Sequence, residues 1–143
     1  MRIERASDLD DVRAILREYA EATGVDLKFQ NFEHELETLA DFYVAIFMAE
    51  ENAGCVALRH IDETTCEMKR LYVRPAFRGR NLGRQLAERV IAEARTRGYK
   101  TMRLDTLPTM LDAMRLYESL GFRDIEPYRY NPIEGSRYME LKL

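Results

Sequence analysis

The chain has 143 residues, with 22 basic side chains against 25 acidic ones and a formal net charge of −3. That length supports a core without disulfide or metal staples, and the balanced charge excludes general attraction to nucleic acid or an anionic membrane. The longest apolar run, Val44 to Ala49, is strand-sized and far short of the ~20 residues that cross a bilayer.

The opening residues Met1-Arg2-Ile3-Glu4-Arg5 lack the apolar stretch of a secretory leader. Cys55 and Cys66 show no metal-ligand spacing and no neighbouring Cys/His cluster. The expectation is a single domain over 1–143, cytoplasmic, with reduced thiols, no metal, no nucleic-acid or membrane partner, and a monomeric or homodimeric state.

A short strand around Ile3 comes first. Ser7 with Asp10 resembles a capping box, and Leu9, Val12, Leu16 and Tyr19 then recur at helical spacing as far as Gly24. A second helix is expected after Asn31, with Phe32, Leu36 and Leu39 on one face. The period then changes. Tyr43–Ala49, Gly54–Ile61 and Cys66–Val73 read as strands, separated by turns at Glu50–Gly54 and Asp62–Thr65.

A basic glycine loop and an amphipathic helix from Leu82 to Arg97 follow, with Gly98 just past its end. Tyr99–Thr106 is a further strand, and Pro108 and Thr109 open a helix that runs through Leu120. Phe122–Ile125 and Tyr138–Leu143 close the chain as two strands. The hairpins demand antiparallel pairing, whereas the Leu82–Arg97 helix is long enough to cross over between parallel strands. A mixed α/β sheet with helices on both faces follows.

The segment richest in chemistry is Arg78-Gly79-Arg80-Asn81-Leu82-Gly83, between the strand ending Leu71-Tyr72-Val73 and the long helix. Glycine allows close backbone approach, and a helix N-terminus offers unpaired N–H groups and partial positive charge. With Arg84 adding a third guanidinium, this is a site for a phosphorylated ligand. No Gly-Lys-Ser/Thr follows, which excludes a P-loop, and Gly-x-Gly-x-x-Gly is absent, which excludes a dinucleotide fingerprint.

The loop resembles the signature of the GNAT family of acyl-CoA-dependent N-acetyltransferases, Gln/Arg-x-x-Gly-x-Gly/Ala, as Arg78-x-x-Asn81-x-Gly83. The approach Leu71-Tyr72-Val73-x-Pro75-x-Phe77-Arg78-Gly79 and the later Ala113-x-x-Leu116-Tyr117-Glu118-x-x-Gly121-Phe122 are similar to that family's motifs, and the element order matches over essentially the whole chain. Two positions depart from the pattern. Asn81 replaces the first glycine, and Met110 stands where many relatives carry an asparagine.

The resemblance implies a central, mostly antiparallel twisted sheet of about seven strands with a parallel pair at the cofactor site. It implies acetyl-CoA as co-substrate, held by Leu71, Tyr72 and Val73 on the strand and by Arg78, Gly79, Arg80, Asn81, Leu82, Gly83 and Arg84 at the loop. The activity implied is acetyl transfer to a primary amine of a small molecule. The alternatives are a protein or peptide acetyltransferase and a non-catalytic acyl-CoA-binding module.

Such a transfer needs a neutral amine, a stabilised oxyanion and a proton for the departing thiolate. The backbone N–H groups around Tyr72 and Val73 are the oxyanion donors that the resemblance implies. Tyr117 is the candidate acid, set against a packing role in the stripe Met110, Ala113, Tyr117 and Leu120. Glu67 is the leading base, because a charge in a central strand must be functional or paired; the other reading is an ion pair with Arg59 or Lys69.

Asp105 is the second candidate base. Arg59, Arg70 and Arg103 are candidates to clamp a substrate carboxylate, as an amino acid would offer. Gln30, Glu33, Tyr128, Arg129 and Tyr130 lie in segments that line the acceptor site in relatives.

Overall fold

The computed structural model describes residues 1–24 and 31–143. The strands are β1 (Ile3–Arg5), β2 (Ala45–Ala49), β3 (Gly54–His60), β4 (Thr65–Val73), β5 (Thr101–Thr106), β6 (Arg123–Asp124) and β7 (Arg137–Lys142). The helices are α1 (Leu9–Thr23), α2 (Phe32–Glu37), α3 (Leu39–Phe42), α4 (Leu82–Thr96) and α5 (Leu111–Ser119). All seven strands form one sheet in the order β1-β2-β3-β4-β5-β7-β6, so β4 lies at its centre. Only β4 and β5 pair in parallel, joined through α4; every other neighbouring pair is antiparallel.

Alternation along the strands sorts the core into two layers. Phe47, Val56, Leu58, Met68, Met102, Leu104 and Met139 pack with Leu86, Val90 and Ile91 of α4 and Tyr117 of α5. Ile46, Met48, Cys55, Ala57 and Tyr72 face the opposite way, onto Val12, Ile15 and Leu16 of α1 and Leu36 of α2. The period of two along β2 puts neighbours Ile46 and Phe47 into different layers, so both sheet faces are covered.

Local chemistry moves several boundaries from their expected places. Asp8, not Ser7, caps α1: its Oδ1 accepts from the N–H groups of Asp10 and Asp11 at 2.9 and 3.3 Å. A carboxylate there also meets the positive end of the helix. The second helix breaks into α2 and α3 at Thr38, whose hydroxyl donates to the His34 carbonyl at 2.7 Å while its backbone leaves helical geometry. The α5 helix starts at Leu111, after a turn in which Met110 N–H donates to the Leu107 carbonyl.

Two irregularities of β4 build the site. The register against β3 steps from Cys55↔Tyr72 to Ala57↔Lys69, which leaves one extra residue on β4. Arg70 sits in that bulge with φ 60, a left-handed conformation unusual for a residue with a side chain. The bulge inverts the alternation: Cys66 and Met68 belong to the α4 layer, and beyond it Leu71 and Val73 pack against that same layer while Tyr72 belongs to the other. The pairing of β4 with β5 also stops at Glu67↔Arg103, although β4 continues to Val73 and β5 to Thr106. The two central strands part there.

Candidate active site

The parting of β4 and β5 opens a cavity of about 960 Å³. Residues 68–73 of β4 form one wall and Asp105, Thr106 and Leu107 another. The loop before α4 closes one end, with Met110 from the turn before α5, Ala113, Leu116 and Tyr117 from α5, and Tyr19 from α1.

The loop end is shaped for an anion. Arg78 N–H bonds back to Pro75, and the first intrahelical bond of α4 is from Gln85 N–H to the Asn81 carbonyl at 3.2 Å. The amides between belong to the unpaired first turn of a fifteen-residue helix, at its positive end. Gly79 at φ 79 and Asn81 at φ 62 bend the backbone into that turn. Asn81 takes the left-handed conformation that its signature position demands and leaves its side chain out of the cap. A Cβ added at Gly83 meets Val73 and Leu116 at 3.8 and 3.7 Å, so this glycine keeps the helix start open toward the cavity walls.

The three loop arginines have different surroundings. Arg78 donates to the Val73 carbonyl at 3.0 Å and lies over Tyr72, bracing loop to strand. Arg84 bonds Ser119 of α5 at 3.1 Å. Arg80 does not line the cavity; it is exposed and stacks on Phe77. Leu71, Tyr72, Val73, Gly79, Asn81, Leu82 and Gly83 all line it.

Tyr117 lines the same cavity, nearly buried, with its ring edge-on to Phe122. Burial first, then the neighbouring Tyr19 and Asp105, raise its phenol above the ordinary tyrosine value and hold it protonated. Burial acts on thiols in the same direction: those of Cys55 and Cys66 are pushed up to about 12.

Glu67 sits elsewhere. It is fully buried, does not line the cavity, and accepts from Tyr128 OH at 2.6 Å and from the Arg129 guanidinium. Arg59, directly opposite on β3, adds a third contact at 3.5 Å. Burial alone would raise this carboxyl, but Lys69, Arg129 and Tyr128 outweigh it and hold it below its ordinary value. Of the two expectations for Glu67, the ion pair with Arg59 is formed, and the carboxylate lies off the cavity.

Each arginine of the expected clamp is ion-paired, and Arg70 alone of the three lines the cavity. Arg59 is engaged with Glu67, Arg103 with Glu140 at 3.0 Å, and Arg70 with Glu35 at 2.7 Å. Arg59 and Arg103 do not line the cavity. Gln30 lies outside the described residues. Glu33 is exposed and paired with Arg17, and Tyr130 is exposed.

Among the cavity residues that the sequence did not assign to the site are Lys69, Tyr19 and Asn131. Asp105 lines the cavity, with its Oδ2 held by Asn131 at 3.3 Å. Lys69 lies between Glu67 and Asp105 in their electrostatic reach; burial first, then Arg70, push its ammonium down to about 8. The one available signal for Lys69 was the run of charges in a central strand. Tyr19 was hidden in an ordinary helical stripe.

A profile of the Acetyltransferase (GNAT) family matches residues 9–122. The chain belongs to that family. It is 41% identical over 150 residues to an uncharacterized N-acetyltransferase of Schizosaccharomyces pombe, covering 99% of this chain and 92% of that one. It is 33% identical over 148 residues to the IAA acetyltransferase of Azospirillum brasilense, covering 99% and 97%. A shorter match, 34% over 84 residues, links it to the N-acetylaspartate synthetase of Danio rerio, over 59% of this chain and 30% of that one.

Among solved structures, an acetyltransferase from Streptococcus agalactiae shares the fold at TM-score 0.82 with 22% identity, over 99% and 98% of the two chains. A GNAT family acetyltransferase from Elizabethkingia anophelis with acetyl-CoA bound superposes at TM-score 0.60 with 26% identity, over 73% of this chain and 82% of that one.

Proposed function

We propose that this chain transfers the acetyl group of acetyl-CoA to the primary amine of a small molecule that also carries a carboxylate. One observation carries the reading. The β4/β5 opening places the α4 N-terminus, the backbone of residues 71–73, Tyr117 and Asp105 on a single cavity.

In this reading the amides of 79–84 hold the donor's pyrophosphate and its thioester supplies the acetyl group. The strand amides around Tyr72 and Val73 stabilise negative charge developing on the acyl oxygen. Asp105 attracts the incoming ammonium and draws its proton away through water, since a free alkylamine, with a pKa near ~10.4, arrives charged. Tyr117 gives its phenolic proton to the sulfur as the carbon–sulfur bond breaks.

Lys69 gives the cavity a cation beside the anion of Asp105, a pairing that complements an amino acid. The partial likeness to an N-acetylaspartate synthetase supports the same acceptor class. The test is thiol release from acetyl-CoA across amino acids, polyamines, aminoglycosides and peptides. Carboxylate-bearing amines should dominate, and Lys69→Met should erase their advantage. A ranking led by carboxylate-free amines overturns the acceptor class, and acetyl-CoA binding with no thiol release from any amine overturns the enzyme reading.

A further inference from the structure

A buried ion pair at the cavity wall has no part in the chemistry above. Glu35 of α2 is fully buried, and its two oxygens accept from Arg70 Nη2 at 2.7 Å and Arg70 Nε at 3.0 Å. Tyr43 OH donates to the same carboxylate at 2.5 Å. The Arg70 guanidinium is sandwiched within 5.5 Å of the Tyr19 ring and 5.3 Å of the Phe32 ring.

Burying two charges is costly, and an apolar pair would fill the same space without that cost. Arg70 is also the bulge residue of β4, in a left-handed backbone state that a glycine would adopt more readily. Cys55 Sγ bonds the Arg70 carbonyl at 3.2 Å, so both ends of that residue are pinned. A pair this costly, on a residue this strained, immediately before the amides that face the cavity, has a job beyond packing.

We propose that the Glu35–Arg70 fork is a positioning device: it locks the β4 bulge so that the amides around Tyr72 and Val73 face the acyl donor, and it holds Tyr19 against Tyr72 in the cavity wall. The second half of the device is visible in the contacts. Tyr19 holds its ring under the Arg70 guanidinium, packs edge-on to Tyr72 with ring centres 5.9 Å apart, and lines the cavity. Tyr117 lines the same cavity. One fork thus braces both the strand that carries the oxyanion donors and an aromatic wall of the cavity. Glu35 touches neither donor nor acceptor and acts only through Arg70. The role rests on the acetyl-transfer reading above.

The test replaces the fork with Glu35→Met together with Arg70→Met, which removes both charges at once and strands neither. Tyr43→Phe removes a single hydrogen bond and serves as the gentle variant. Two readouts separate positioning from packing. The first is kinetic: kcat should fall at least about tenfold, ~1.4 kcal/mol in the barrier.

The second readout needs no acceptor. In the wild type the ¹⁵N–¹H signals of residues 71–73 should differ between the CoA and acetyl-CoA complexes, and that difference should collapse in the double variant. A folded double variant with wild-type kcat and the wild-type amide difference overturns the proposal. If the double variant does not fold, Tyr43→Phe decides: a smaller amide difference supports the device and an unchanged one overturns it. An acceptor screen that fails while the amide difference tracks the fork sinks the acceptor reading alone.

Discussion

Glu67→Gln separates a catalytic carboxylate from a structural one. The substitution keeps shape and hydrogen-bonding oxygen but removes the charge that Tyr128 and Arg129 address and that Arg59 and Lys69 sense. A hydrogen bond to a charged group contributes about 1.5–3 kcal/mol and a neutral one about 0.5–1.5. Two such bonds reduced from charged to neutral lose roughly 2–3 kcal/mol together. At about 2–4 °C per kcal/mol for a chain of this size, the melting temperature should fall by roughly 4–12 °C.

The kcat of the folded variant should stay within about threefold of wild type, because Glu67 does not face the cavity. The acid side supplies an independent check. A carboxyl held below its ordinary value of 4.5 contributes stability that is fully present above that pH and is lost as pH falls through its folded-state value. The stability gap between wild type and variant should therefore be widest above about pH 5 and shrink on acidification. Thermal melts from pH 7 down to pH 3, with initial rates at pH 7, measure both. A hundredfold loss of kcat with an unchanged melting temperature would refute the reasoning and restore Glu67 as the base.

Tyr117→Phe should lower kcat by about a hundredfold or more while leaving CoA affinity intact, as removal of a general acid does; full activity across pH would dismiss the assignment. Asp105→Asn should lower kcat/KM for the amine by a similar factor without weakening CoA, measured by thiol release and calorimetry; an unchanged kcat/KM removes Asp105 from the chemistry. Gly83→Ala should stabilise α4 by up to about 1 kcal/mol yet weaken acetyl-CoA, since the new methyl group narrows the space between Val73 and Leu116; tighter binding would contradict the placement of the donor. Asn81→Gly should preserve or tighten acetyl-CoA binding, because glycine takes the left-handed turn freely and has no side chain to crowd the loop.

The parts of this molecule that were legible in the chain share a physical property: their signal is contiguous. The strand, glycine loop and helix from Leu71 to Arg97 carry their turn, their charge and their periodicity within thirty residues, and the parallel pair followed from the length of α4. The charges of β4 were equally visible, and they announced a compensation that named Arg59 for Glu67 but missed its other partners and that of Arg70. Those partners are tertiary. Arg129 and Tyr128 come to Glu67 from more than sixty positions away, and Glu35 comes to Arg70 from thirty-five. The bulge left no local mark either, because arginine and not glycine occupies its left-handed position.

A buried charge therefore has two readings in a sequence, reagent or strut, and its cost of burial is the same in both. What separates them is whether its compensating groups saturate it or leave it facing a cavity. Glu67 is saturated and Asp105 faces the cavity, so the same residue chemistry on neighbouring central strands divides into framework and site.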